Sequence, residues 1–148
     1  MKKQVKKKEL RGQVAIELLI LSGFALAFIL PLAFLFISSS NAELSRTSVS
    51  MAKISARTIS DEAGELYLQG PFAKKTIFVN YPSGIVNGSI EGGLVVLTVD
   101  ADGQRVDTVS FTFANISGNL SGKRVAGIQR IRLEYVVPGD YVNISYMD

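Results

Sequence analysis

A single carboxylate, Glu17, stands at the head of a run of 20 residues, Leu18 to Ile37, that carries no charge. The only members of that run that are not apolar are Ser22, Gly23 and Pro31. Holding an ionised carboxylate in hydrocarbon costs about 2–3 kcal/mol, so a cationic partner lowers the cost. One such partner can be made by cutting the chain. If the bond after Gly12 is broken, the new α-amino group of Gln13 lies one helical turn from Glu17. It can then pair with Glu17 of its own chain or of a neighbour. Pairing between chains would set the register of one helix against the next.

Other chemistry is thinly supplied. The chain has no cysteine and no histidine. Disulfides and zinc sites built on Cys or His are excluded, as is catalysis that uses His as base or Cys as nucleophile. An enzyme would have to work with carboxylates, hydroxyls and lysines. No phosphate-cradling loop and no paired carboxylates in a plausible cleft are visible. The expectation is a protein without enzymatic activity, metal, cofactor or small-molecule substrate. Asp100-Ala101-Asp102-Gly103 with Asp107 has acidic spacing that suits calcium, but no glutamate closes an EF-hand loop, and it reads as a hairpin turn. Four Asn-x-Ser sequons, at Asn87, Asn115, Asn119 and Asn143, are candidate N-glycosylation sites. All fall in the last half of the chain. Asn115 and Asn119 are placed in a loop, and Asn143 on the polar face of the last strand.

The elements that position these residues follow from charge and periodicity. Residues 1–12 hold Lys2, Lys3, Lys6, Lys7, Lys8 and Arg11 against Glu9, a net of +5. The other 136 residues carry 10 basic and 12 acidic side chains, a net of −2. The basic character belongs to a tail and not to a folded face, which argues against nucleic acid as a partner. Lys123, Arg124, Arg130 and Arg132 read as a solvated face. Twenty apolar residues span roughly 30 Å as a helix, the thickness of a bilayer core. Basic residues before the run place the N-terminus in the cytoplasm and everything after Ile37 outside.

A helix is expected from about Gln13 to about Leu68. Beyond the apolar run, Ser45, Val49, Ala52, Ala56, Ile59, Ala63 and Leu66 recur at steps of four and three. This stripe can pack on the chain's own globular domain, against a neighbour, or on both. Arg46, Lys53, Arg57, Asp61, Glu62 and Glu65 lie between its members. Pro31 predicts a kink or a locally melted segment. Gly70-Pro71 predicts the helix end. From residue 71 the chain is rich in Val, Ile, Thr, Tyr and Phe, broken by Gly, Asn, Asp and Ser. Lys75–Asn80, Leu94–Val99 and Val106–Phe113 read as strands, the last two joined through Asp102-Gly103. Val109, Phe111 and Phe113 share one face of their strand, with Ser110 and Thr112 on the other. Ile131, Leu133 and Tyr135 alternate with Arg130, Arg132 and Glu134. Val142, Ile144 and Tyr146 alternate with Tyr141, Asn143 and Ser145. Such patterning predicts one wet face per sheet. The expected fold is α+β: a long N-terminal helix, then six or seven short strands in a small antiparallel sandwich.

The stretch from Lys8 through Arg11, Gly12, Gln13, Val14, Ala15 and Ile16 to Glu17, followed by the apolar run, resembles the class III signal peptide of archaeal type IV pilin-like proteins. The resemblance extends to the layout of leader, long helix and β domain, and to the closing Val137-Pro138-Gly139-Asp140-Tyr141-Val142-Asn143-Ile144-Ser145. Position 15, often Ser in that family, is Ala here. The resemblance implies a lollipop-shaped subunit of a surface pilus. Residues 1–12 would be a leader removed by a membrane prepilin peptidase between Gly12 and Gln13. Lys8 and Arg11 would serve leader recognition, and Glu17 assembly. The partners it implies are copies of the same chain in a helical filament, the peptidase and the membrane assembly machinery. An archaellum-like filament subunit fits the same pattern. Two other arrangements remain: a single-span anchor carrying a surface glycoprotein module that never polymerises, and an ordinary secretory signal cut near Ser40-Asn41-Ala42.

Overall fold

The computed structural model describes residues 2–122 and 125–147; the side chains of residues 2–12, 41 and 42 lie outside the description, as do Lys123 and Arg124. The helix α1 (Lys2–Gln69) begins before the expected start near Gln13. Residues 2–11 are mostly Lys, Gln, Glu, Leu and Arg, whose straight side chains lose little freedom in a helix. The helix passes through Pro31 as helix, so no melted segment forms there. It stops at Gln69, where Gly70 turns to φ 80° and donates its N–H to the Tyr67 carbonyl at 3.2 Å. That left-handed residue is the usual way to close a helix end.

The chain divides into two compact units, Met1–Asn41 and Ala42–Asp148. The second holds seven strands: β1 (Lys74–Tyr81), β2 (Ile85–Glu91), β3 (Leu94–Ala101), β4 (Gln104–Phe111), β5 (Ile116–Asn119), β6 (Gly127–Val136) and β7 (Tyr141–Tyr146). They form a four-stranded sheet in the order β1-β6-β7-β5 and a three-stranded sheet in the order β2-β3-β4. Every pairing is antiparallel except β5 with β7, which is parallel from Ile116↔Val142 to Asn119↔Ser145. The stretch containing Asn119, expected as loop, is therefore a short edge strand. Four residues sufficed because the Asn115 carbonyl also accepts the Val142 N–H at 2.8 Å. The β3–β4 hairpin turns on Asp102 and Gly103, at φ 57° and 79°, with Ala101 opposite Gln104. Both turn residues at positive φ match the strand twist, and the Asp100 carboxylate accepts the Gly103 N–H at 2.9 Å.

The helical stripe is spent inside this unit. Ala52, Ala56, Ile59, Ala63 and Leu66 are fully buried, and four of them share one core with Ile77, Val79, Tyr81, Ile85, Val95, Leu97, Leu120, Ile131, Leu133, Val142 and Ile144. Small residues let the helix backbone approach the strands. Ser55 donates its hydroxyl to the Asn80 carbonyl of β1 at 2.7 Å. On another flank, a Cβ at Gly64 would meet Thr112 Oγ1 at 3.1 Å. The helix thus runs beside β1, an edge of one sheet, and beside the chain leaving β4, an edge of the other. Covering edges removes templates for unwanted pairing.

On β4 the expected faces are reversed. Thr108 and Thr112 are buried, while Val109, Phe111 and Phe113 are exposed. Register is the cause. The two-residue turn places Val99 opposite Val106, Leu97 opposite Thr108 and Val95 opposite Ser110. Residues directly opposite share a face, and the aliphatic set Val95, Leu97 and Val99 takes the core side of β3. Its β4 partners must then face inward, and the aromatics face out. Thr108 tolerates burial because its hydroxyl donates to the Leu97 carbonyl at 2.9 Å.

Candidate functional site

The helix residues from Val14 to Ile37 bury nothing. Their large apolar side chains are all more than half exposed, from 54% at Leu26 to 75% at Phe36. The segment is long and apolar enough to cross a membrane, with mean hydropathy 2.6 over its most apolar window. At its head, the Gln13 amide Nε2 donates to Glu17 Oε1 at 3.3 Å, one turn along the helix. The side chains of Gln13 and Glu17 therefore already meet in the uncut chain, and both are exposed. The side chains at Lys8, Arg11 and Gly12 lie outside the described residues. Pro31 is exposed within the apolar stretch, as are its neighbours.

The four sequons differ in access. Asn87 is exposed on β2, pointing away from the core that takes Ile85 and Gly88. Asn119 is exposed, and its Oδ1 accepts both the N–H and the hydroxyl of Ser121, at 2.7 and 2.5 Å. This Asx turn brings the first and third residues of that sequon together. Asn115 is exposed but donates its amide to the Asp140 carbonyl at 3.2 Å. Asn143 is half-buried on β7, an interior strand. Asn87 and Asn119 are the better placed to carry a bulky group.

Two polar clusters tie the helix to the sheets, and neither shows in sequence spacing. Lys75 on β1 meets Glu62 and, at 3.0 Å, Glu65. Hydrogen bonds to Glu62 and then Glu65 hold the Lys75 ammonium above its ordinary range. At the far end of the helix, Tyr67 stacks on Tyr135 with ring centres 5.7 Å apart. Both hydroxyls donate to the Asp140 carboxylate, that of Tyr67 at 3.2 Å. The bond to Asp140, aided by desolvation, raises the Tyr135 phenol to about 12. Tyr67 is raised by the same carboxylate. Inside the core, burial pushes the Tyr81 and Tyr146 phenols up, and the two hydroxyls bond at 3.0 Å. Except for Tyr135 and Asp140, five residues apart across the β6–β7 turn, these partners lie 10 to 73 residues apart, so no local motif could announce them. Among the described residues, Asp100, Asp102 and Asp107 serve the hairpin: Asp100 caps the turn and Asp107 accepts from the Thr98 hydroxyl at 2.6 Å.

Compared with known family models, with curated proteins and with solved structures, the chain finds no match.

Proposed function

We propose that this chain is the precursor of a structural subunit of an archaeal type IV-like surface pilus. The observation that carries the reading is the unburied apolar helix from Val14 to Ile37 headed by the Gln13–Glu17 pair. About 20 apolar residues that no part of their own chain covers need an apolar environment. A bilayer supplies it before assembly, and neighbouring helices supply it afterwards.

In this reading the basic leader holds the precursor in the membrane with its N-terminus in the cytoplasm. A prepilin peptidase cuts between Gly12 and Gln13, with Lys8 and Arg11 recognised in the leader. The cut removes a +5 tail whose copies would repel one another in a bundle. It also creates the Gln13 amine beside Glu17, which supports its pairing with Glu17 of a neighbour. The helices leave the bilayer through the assembly machinery and pack together, exchanging lipid for other helices. The two sheets form a small sandwich that coats the filament on the cell surface. Glycans on Asn87 and Asn119 would stand on its outside. The stripe of Ala52 to Leu66 is buried in the chain's own core, so helix packing between copies falls to residues 14–37 and not to that stripe.

The test is the first residue of the mature protein, read together with electron microscopy of cell surfaces. Gln13 as first residue, with filaments containing the chain, is the expected result. Met1 as first residue without filaments would establish a single-span anchor instead. Gly12→Val should block processing, and Glu17→Ala should permit the cut but weaken assembly. Normal filaments built from the uncut Gly12→Val chain would defeat the proposal.

A further inference from the structure

The turn between α1 and β1 holds a residue that its backbone does not favour. The Ala73 N–H donates to the Gly70 carbonyl at 3.3 Å, Pro71 takes the second position, and Phe72 sits at φ 69°. This is the pattern of a type II turn, whose third position favours glycine or asparagine. A bulky side chain there is strained. Burial does not offset the strain, because Phe72 is 83% exposed. Leu68 in the last helical turn and Val137 in the β6–β7 turn are exposed as well. The Ala73 carbonyl accepts the Tyr135 N–H at 3.0 Å, and Tyr67 stacks on Tyr135, so these segments meet at one end of the unit. The fold by itself gives no reason for phenylalanine at position 72. A strained, exposed aromatic points to a contact outside its own chain.

Towards the other end of the same unit, the helix and the β3–β4 hairpin leave a groove of about 450 Å³ between them. Val49, Ala101 and Val106 give it apolar walls. Its charged lining is cationic. Arg46 and Lys53, two helical turns apart, both border it and are both exposed. Among the described residues neither has an ion-pair partner. Apolar walls with two unpaired cations suit an aromatic ring, which packs on the walls and offers its face to the cations. The Phe72 end carries matching charge. There Lys75 is shared by Glu62 and Glu65, and Lys74 is paired with Glu134, which leaves a carboxylate in surplus. Asn87 on β2 and Asn119 on β5 belong neither to the turn nor to the groove lining.

We infer that Phe72 of one copy inserts into the groove between Val49 and Val106 of the next, with its ring against Arg46 and Lys53. A chain cannot fill its own groove, because the helix separates Val49 from the Phe72 turn by roughly 30 Å. The inference rests on the filament reading, which supplies a second copy as the partner. Because two different ends meet, the contact is heterologous and repeats from copy to copy instead of closing on a pair. The ring offers apolar surface on the order of 200 Å². That is well below the roughly 800 Å² per partner of a self-sufficient interface. The contact therefore adds to packing by the apolar helices and does not make soluble dimers unaided.

Phe72→p-benzoylphenylalanine keeps an aromatic ring at the turn and makes it photoreactive. Full-length chain carrying this change is produced in its native membrane and irradiated. The expected result is a ladder of cross-linked dimers and higher species, with peptide mapping placing the adduct in residues 45–53 or 101–106. Adding Arg46→Glu and Lys53→Glu should lower the yield about fivefold, whereas Arg46→Lys with Lys53→Arg should hold it within about twofold of the parent. Leu68→p-benzoylphenylalanine probes the same end with Phe72 intact, and adding Phe72→Gly should lower its yield about fivefold. Circular dichroism melts of every variant check that the unit is folded. No adduct from either probe, adducts only to lipid or to a different protein, adducts elsewhere on the chain, or a yield indifferent to charge reversal would each overturn the inference. The two readings separate. Filaments seen by electron microscopy without a groove adduct refute the contact and leave the pilus standing, whereas groove adducts without filaments do the reverse.

Discussion

Replacing Ile59 with Ala tests whether the last part of the helix belongs to the globular core or to an interface. Ile59 is fully buried among residues from both sheets. The change removes three carbons, roughly 2.4 kcal/mol of transfer free energy at 0.8 per group. Tight packing on several sides limits collapse of the hole, so the cavity term brings the cost to about 3–4 kcal/mol. The unit to which it belongs spans Ala42–Asp148, and for a unit of that size each kcal/mol moves Tm by about 4–8 °C. A fall of roughly 12–30 °C is expected, followed by circular dichroism of the full chain in detergent micelles. Ile54 is the control. It is on the same helix but 63% exposed, and Ile54→Ala should stay within about 0.5 kcal/mol. Equal losses at the two positions, or a larger loss at Ile54, would refute the assignment of the stripe to the chain's own core.

Alkali should unfold the β unit early. The phenols of Tyr67, Tyr81, Tyr135 and Tyr146 and the Lys75 ammonium all have raised pKa values in the fold. A raised group stabilises fully below its unfolded value and loses that contribution as pH passes its folded value. Stability should therefore hold to near pH 10 and fall between pH 10 and about 12, the value for Tyr135. Asp140→Asn should flatten that fall, and urea titrations at stepped pH will measure it. Lys75→Met should lower stability slightly, because it removes an ion pair to two carboxylates that is partly exposed and therefore screened. The loss should shrink in 1 M salt, as denaturation midpoints will report. Gly103→Ala should cost about 1–2 kcal/mol, although a Cβ there meets nothing within 4 Å. A near-neutral result in thermal melts would mean the hairpin turn relaxes.

The parts of the fold that could be read in advance are those governed by short-range rules. The helix end at Gly70, the Asp102-Gly103 turn and the in-out alternation of β6 and β7 each follow from residues within a few positions of one another. Three features escaped for physical reasons. The N-terminal helix start was masked because Lys-rich residues carry no apolar periodicity. The strand at Ile116–Asn119 is too short to show a period, and it exists because β7 is beside it. The salt links of Lys75 and the joining of Tyr67 to Asp140 and Tyr135 depend on tertiary approach alone. At the candidate site, the one-turn spacing of Gln13 and Glu17 was legible, but the bond from the Gln13 side-chain amide to Glu17 in the uncut chain was not. Which sequons stand clear of the sheet was not, since that depends on pairing.

The reversal on β4 is the most informative of these failures. Taken alone, a strand with Val109, Phe111 and Phe113 on one side and Ser110 and Thr112 on the other should bury its aromatics. Two strands joined by a two-residue turn do not choose their faces separately. β3 brings Val95, Leu97 and Val99, which outweigh Thr108 and Ser110 as core formers, and the register then commits β4. Turning Phe111 outward forfeits about 1.5–3 kcal/mol of burial for that side chain. A sequence that kept the fold and served no partner could recover that by exchanging Phe111 for Thr. Local patterning that disagrees with the global fold is expected where a surface has a second use. Phe111→Thr should thus leave the unfolding midpoint in thermal melts unchanged or higher. A clearly lower midpoint would show that the outward phenylalanine serves the fold after all.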